Sequence, residues 1–184
     1  MRLFIGIDVS AEIRDRLADV QQILNRKGIK IVEKENIHFT LKFLGEVEDR
    51  RVEVIKDALS RIESNAFKLH VKGIGFFPPS GSIRIVWAGV EEGKNEMVDI
   101  ARKIDNSLKK LGFKKEKNFV AHATIARVKR ISSSERKQIL SDIEPYSNKD
   151  FGWMDVDDFR LKKSTLTPEG PIYSDIGIFE LKKW

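Results

Sequence analysis

His38-Phe39-Thr40-Leu41 and His122-Ala123-Thr124-Ile125 are two copies of one short pattern, set 84 positions apart in a chain of 184 residues. They hold two of its three histidines. The same offset lays Gly28 on Gly112 at the ends of two amphipathic stretches, and lays Ile55 and Leu59 on Ile139 and Ile143 in a second such pair. Self-similarity at one fixed spacing means duplicated structure, and this period is too long for a solenoid. The chain reads as two degenerate copies of one unit, approximately residues 1–79 and 80–184, each with one His-x-Thr. A two-fold-like arrangement of the copies would turn the histidines toward each other across a cleft.

Strands and helices alternate in the same order twice. Arg2 to Asp8 reads as a strand, followed by a helix that Ser10 caps and Gly28 stops, with Ile13, Leu17, Val20 and Leu24 at helical spacing. Asn36 to Leu44 is the strand of the first motif, a helix is expected from about Asp49 to Ser64, and Phe67 to Phe76 alternates as another strand. Pro78-Pro79-Ser80-Gly81 breaks the chain near its midpoint. Beyond it come strand Ile83 to Val90, a helix from about Lys94 to Leu111, strand Phe119 to Val128 with the second motif, and a fourth helix started by the serines at 132–134. Met154 to Thr165 and Ile172 to Leu181 are two further strands, separated by the turn Thr167-Pro168-Glu169-Gly170-Pro171.

This length suits one domain or two intimately packed lobes. With 34 Lys and Arg against 28 Asp and Glu, the net charge of +6 favours a polyanionic partner such as nucleic acid. The apolar start at Leu3 to Ile7 is interrupted by Asp8 and no apolar run approaches spanning length, so a cytoplasmic protein without a membrane partner is expected. The absence of cysteine excludes disulfides, thiolate catalysis and cysteine zinc sites. Imidazole, hydroxyl and carboxylate chemistry remain.

Side chains two apart on a strand share a face, so His38 projects with Thr40 and His122 with Thr124, while Phe39, Leu41, Ala123 and Ile125 enter the opposite, apolar layer. Two imidazoles and two hydroxyls around a small cavity suit a phosphoryl group. One neutral histidine removes a proton from the attacking oxygen and the other, as imidazolium, protonates the departing one. The threonine hydroxyls donate to nonbridging oxygens, and the scheme needs no metal or other cofactor. Lys42 shares the parity of His38 and Thr40 and should point into the cleft unless the strand is bulged. Arg127 lies five residues after His122, so a bulge must redirect it if it touches phosphate.

With these residues in view, the chain resembles the two-histidine phosphoesterase superfamily. Within it, the resemblance is to the RNA 2′,3′-cyclic phosphodiesterase family, also called the 2′-5′ RNA ligase family of bacteria and archaea. The likeness covers nearly the whole length, through Arg2 to Asp8, Glu35 to Glu46, Arg84 to Val90, His122 to Arg127 and Pro168 to Tyr173. It implies an α/β fold of α+β type: two pseudo-symmetric lobes, each an antiparallel sheet with outer helices, around a central cleft. It also implies catalytic His38 and His122, phosphate contacts from Thr40, Thr124 and Arg127, and hydrolysis of RNA terminal 2′,3′-cyclic phosphate to a 2′-phosphate. Some members join RNA ends reversibly through a 2′-5′ bond. A 2′-phosphate product requires cleavage of P–O3′, for which His38 is taken as the acid and His122 as the base. Ala123 stands where many relatives carry a larger apolar residue, a departure expected to affect packing rather than chemistry.

Other readings compete. A noncatalytic RNA-end binding module, or a cyclic phosphodiesterase acting on a small nucleotide, fits the same residues. A binuclear metal hydrolase fits less well, because no carboxylate shares a face with either motif. RNA ending in a cyclic phosphate, tRNA fragments among the candidates, is the expected partner of a monomer. His70 is expected to face solvent on its strand. The tryptophans Trp87, Trp153 and Trp184 are read first as core and second as base-stacking residues.

Overall fold

The structure is a computed structural model that describes residues 1–183; Trp184 lies outside the described residues. Its strands are β1 (Arg2–Asp8), β2 (Ile29–Ile31), β3 (His38–Glu46), β4 (Phe67–Phe77), β5 (Ile85–Val90), β6 (Ala123–Val128), β7 (Asp150–Val156), β8 (Asp158–Thr167) and β9 (Gly170–Glu180). Its helices are α1 (Ala11–Leu24), α2 (Val52–Ser60), α3 (Lys94–Lys109) and α4 (Ser133–Ile143). The strands form two antiparallel runs, β7-β4-β5-β6 and β3-β1-β8-β9, joined edge to edge into one curled half-barrel, with β2 added alongside β6. This is the mixed α/β architecture expected, with a cleft on the concave side.

The elements form where periodicity places them. On β1, Leu3, Ile5 and Ile7 are fully buried against the helices, while Phe4, Gly6 and Asp8 take the other face. In α1, Ile13, Leu17, Val20 and Leu24 make one buried stripe, and the Ser10 hydroxyl accepts from the Ile13 N–H at 3.4 Å. The Ser132 hydroxyl caps α4 in the same way.

Several boundaries differ from the expectation. Helix α1 ends at Leu24, and Gly28 instead takes a left-handed turn, φ +89°, into β2, a strand too short to leave a periodic signal. The second helix is a 3₁₀ turn, Asp49–Arg51, followed by the nine residues of α2. β6 begins at Ala123, so His122 stands at its threshold. His70 is buried rather than solvent-facing: it stacks on Trp153 with centroids 4.5 Å apart and its Nε2 lies 2.8 Å from Asp150 Oδ1. The indole body shields it from water on a strand that β7 flanks.

The repeat boundary near residue 80 is not a boundary between the two sheets. β4 belongs with β5 and β6, while the tail strands β8 and β9 return to pair with β1. Two helices cross over as well: α1 follows β1 but packs on β6 and β7, and α3 follows β5 but packs on β3. Each crossing helix carries one buried polar anchor, Gln21 in α1 and Asp105 in α3, again 84 positions apart. Gln21 donates to the carbonyls of Val32 and Ile125, both at 2.9 Å. Asp105 accepts from the Glu116 N–H at 3.1 Å and from Lys42 Nζ at 2.6 Å. Val32 and Glu116 are themselves repeat equivalents.

Lys42 is thereby corrected. A bulge at Leu41 lets β1 pair Gly6 with Thr40 but Ile5 with Lys42, which takes Lys42 off the face shared by His38 and Thr40 although it still borders the cavity. Its ammonium sits between Asp105 and the Lys114 carbonyl, 2.6 Å from each. Both partners of this ion pair are buried, and removing one leaves an uncompensated charge that typically costs about 3–5 kcal/mol. Urea unfolding should therefore show Lys42→Met destabilised by about that amount, and the double change Lys42→Met with Asp105→Leu recovering most of it. An unchanged midpoint for the single variant would mean that the pair does not hold the fold.

Candidate active site

The two runs of strands meet through one backbone pair, Phe39 opposite Ala123. These residues are repeat equivalents, so the pseudo-two-fold axis passes between them. Both are fully buried, which turns their neighbours His38, Thr40, His122 and Thr124 onto the opposite, cleft face. Antiparallel pairing then sets His38 beside Thr124 and Thr40 beside His122. The histidines occupy one diagonal of this square, and such diagonal neighbours lie about 7–8 Å apart. One phosphoryl group fits between them. Phe39 also gives a reason for Ala123: a large residue on one strand leaves room for a small one opposite.

Each imidazole is held by the same bond. His38 Nδ1 lies 2.7 Å from the Asn36 carbonyl, and His122 Nδ1 lies 2.7 Å from the Val120 carbonyl, in each case two residues upstream. A carbonyl only accepts, so Nδ1 carries the hydrogen in both rings and Nε2 is left for chemistry. His38 Nε2 accepts from the Thr40 hydroxyl at 2.8 Å. Aromatic walls fix the rings: Phe4 and Tyr173 flank His38 at 4.8 and 5.4 Å, and Phe77 and Trp87 flank His122 at 5.3 and 6.4 Å. Trp87 is thus part of the wall behind His122, whereas Trp153 stacks on His70.

Burial pushes the His38 pKa down to about 4, further lowered by the Lys162 and Arg127 cations and opposed by the Asn36 carbonyl and Asp8. His38 is therefore neutral at pH 7. Burial also raises Tyr173 above the usual phenol value, against the pull of nearby Arg127.

Arg127 reaches the cleft by the bulge its position required. β5 pairs Trp87 with Thr124 but Val86 with Ala126, so Ile125 is the extra residue and Arg127 recovers the parity of Thr124. Its guanidinium is exposed and lines a cavity of about 330 Å³ together with both His-x-Thr pairs. The matching bulge at Leu41 does the same for Phe43, the repeat counterpart of Arg127, which lines the same cavity and is 66% exposed. Sequence reasoning missed Phe43; the offset of 84 from Arg127 was the available signal. It also missed the tie between Asn36 and the β8–β9 hairpin, whose Pro171 carbonyl accepts from Asn36 Nδ2 at 2.9 Å and brings Tyr173 over the site. Among the described residues no three His, Asp or Glu side chains come together as a metal-ligand set.

Comparison with known proteins agrees with this geometry. The family model for LigT like Phosphoesterase matches residues 7–87 and 89–173. The chain is 43% identical over 181 residues to the RNA 2′,3′-cyclic phosphodiesterase of Archaeoglobus fulgidus, covering 98% of this chain and all of that one. It is 44% identical over 184 residues to the protein of the same name from Methanocaldococcus jannaschii, covering all of both. Among solved structures, a protein of Thermus thermophilus, TT0787, superposes with a TM-score of 0.80 at 26% identity, over 98% of this chain and 97% of that one. Escherichia coli LigT complexed with 3′-AMP also superposes with a TM-score of 0.80 over the same shares, and its 23% identity speaks for the fold alone. With the family model matching across both repeats and relatives above 40% identical over their whole length, the chain belongs to the LigT-like phosphoesterase family.

Proposed function

We propose that this enzyme hydrolyses the terminal 2′,3′-cyclic phosphate of RNA to a 2′-phosphate, without a metal ion, using His38 and His122 as its acid–base pair. The observation that carries the reading is the register at Phe39 and Ala123, which sets two imidazoles and two hydroxyls around one phosphate-sized space. The names of the archaeal relatives support the substrate. Both motifs come from one chain, so a monomer holds a complete site.

In this scheme the cyclic phosphate sits between Thr40, Thr124 and Arg127, which take its nonbridging oxygens. His122 Nε2 removes a proton from a water that attacks phosphorus opposite O3′. The P–O3′ bond breaks, and O3′ takes a proton from His38 Nε2. Water reaches the site readily because His122 and Thr124 remain partly exposed, which favours hydrolysis over attack by an RNA 5′-hydroxyl and 2′-5′ joining. Phe43, exposed at the lip, offers a face on which the terminal base stacks.

Each positioned proton transfer contributes about 10² to 10⁴ in rate. His38→Ala and His122→Ala should each reduce turnover of a cyclic-phosphate RNA by at least about a hundredfold, and wild type should keep full rate in excess chelator. Turnover surviving in both variants would sink the acid–base pair; loss of rate in chelator would bring in a metal.

Arg127→Lys should lower kcat/KM by about tenfold or more, because the ammonium loses the planar fork. Phe43→Ala should raise KM by a similar factor, since stacking is worth about 1–3 kcal/mol per base. Unchanged kinetics would remove the residue concerned from the site.

The depressed pKa of His38 decides how its proton arrives. A group with a free-enzyme pKa of about 4 is unprotonated between pH 5 and 7, and an anionic phosphate beside it raises that value. As the acid, His38 takes up a proton with the substrate, so affinity rises as pH falls through this window. With the roles exchanged, His38 stays neutral and binding takes up no proton there. Calorimetry of cyclic-phosphate RNA binding to His122→Ala, in buffers of different ionisation enthalpy, should read close to one proton taken up near pH 6. Zero uptake would reassign His38 as the base.

A further inference from the structure

An RNA strand that ends in the cleft must leave over one of its rims, and the rims differ in charge. Beyond His38, the β3-β1-β8-β9 side carries Asp8, Asp158 and Asp175 interlocked with Arg160 and Lys162. Lys162 Nζ lies 2.9 Å from Asp8 and 2.8 Å from Asp175, and Arg160 lies 2.7 Å from Asp175 and 3.1 Å from Asp158. Three carboxylates consume both cations. This cluster leaves no cation free for a phosphate, and among the described residues the exposed Arg2 at the start of β1 is the cation without a carboxylate partner near Tyr173 on that side.

The other rim is the reverse. There β2, the end of β6 and the start of β5 run side by side: Lys30 and Ile85 both pair with Arg127, the Val128 N–H donates to the Arg84 carbonyl at 2.8 Å, and the Lys129 N–H donates to the Gly28 carbonyl at 2.7 Å. Residues 26–31, 83–85 and 126–131, which make up this strip, contain no Asp or Glu. Arg26 pairs with Asp142. The other six cations, Lys27, Lys30, Arg84, Arg127, Lys129 and Arg130, are exposed, and among the described residues none has a carboxylate partner. Together they carry +6 with no acidic residue inside the strip to offset it; the other basic stretch at the cavity, Lys109 to Lys117, has five lysines and one glutamate, and that Glu116 lines the cavity itself. The strip begins inside the cleft, at Arg127. Its extent, about 13 Å along β6 and about 10 Å across three strands, accommodates roughly two or three phosphates of a single strand.

On these observations, and resting on the cyclic-phosphate reading above, we infer that the nucleotides preceding the RNA end leave the cleft over this rim, their phosphates held by Arg84, Lys129 and Arg130. The strip is a sequence-independent track that selects RNA chains over mononucleotides. Arg127 binds the reacting phosphate; its three neighbours act one to three nucleotides upstream and touch no reacting atom.

The test compares wild type with the triple variant Arg84→Gln, Lys129→Gln, Arg130→Gln on a ten-nucleotide RNA and on a dinucleotide, both ending in 2′,3′-cyclic phosphate. A control triple variant, Lys94→Gln, Lys109→Gln, Lys110→Gln, removes the same charge from α3 and its C-terminal end. The track variant should raise KM for the decamer about tenfold or more at low salt, and that for the dinucleotide, which carries a single upstream phosphate, much less. It should also flatten the dependence of decamer affinity on log salt by about 2, as expected for three lost contacts to a single strand. The control should move neither. Equal effects of the two triple variants, or equal losses on decamer and dinucleotide, would overturn the track. If wild type turned over neither RNA, the hydrolytic reading would fall by itself; decamer binding, followed by fluorescence anisotropy, would still support the track if only the track variant weakened it and overturn it if not.

Discussion

One backbone pairing, Phe39 against Ala123, holds the active site together. A residue that pairs antiparallel with its own repeat equivalent puts a two-fold axis at that point, so the two His-x-Thr triplets meet in inverted register without further instruction. Everything reactive faces one side because everything apolar at this junction faces the other. Slipping either strand by one residue would send its own imidazole into the core. The fully buried Phe39, Ala123, Leu41 and Ile125 oppose that slip.

The bulges give the symmetric frame an asymmetric use. Each strand carries one extra residue just after its threonine, Leu41 in β3 and Ile125 in β6, and each bulge is anchored to a helix that has crossed over from the other sheet. Gln21 reaches the carbonyl of the bulged residue directly; Asp105 reaches the next residue, Lys42, through a buried ion pair. The same backbone device then delivers different side chains to the cleft, a guanidinium at 127 and a phenyl ring at 43. In the proposed reaction one side of the site addresses the phosphate and the other offers a base a surface, although both come from one repeated template.

The duplication, the helices and the strand faces were legible in the sequence because each rests on periodicity. The offset of 84 located both motifs, and parity located Thr40 and Thr124 beside their histidines. Parity failed for Lys42, where a bulge inverted the face, and for Arg127 it served only as a warning that a bulge was needed. Bulges leave no mark in the hydrophobic pattern of strands buried on one face and lined by a polar cleft on the other. His70 was misread because its burial depends on Trp153 and Asp150, about eighty residues away. The sheet membership of β4, β8 and β9 was equally hidden, since the repeat suggested a division at residue 80 that strand pairing ignores.

The crossed helices bear on ancestry. With α1 lying on the sheet that contains β6 and β7, and α3 on the sheet that contains β1 and β3, a half-length chain would leave its own apolar surface bare and its helix without a sheet. Two half-length chains would cover each other by exchanging those helices, and would meet at one strand pair with a histidine from each. Such a swapped homodimer would have a perfectly symmetric site, with both histidines in one environment. Carrying both copies in a single chain lets each side change alone. In a single chain the two sides need not match, and here one imidazole, His38, is buried more deeply than its twin.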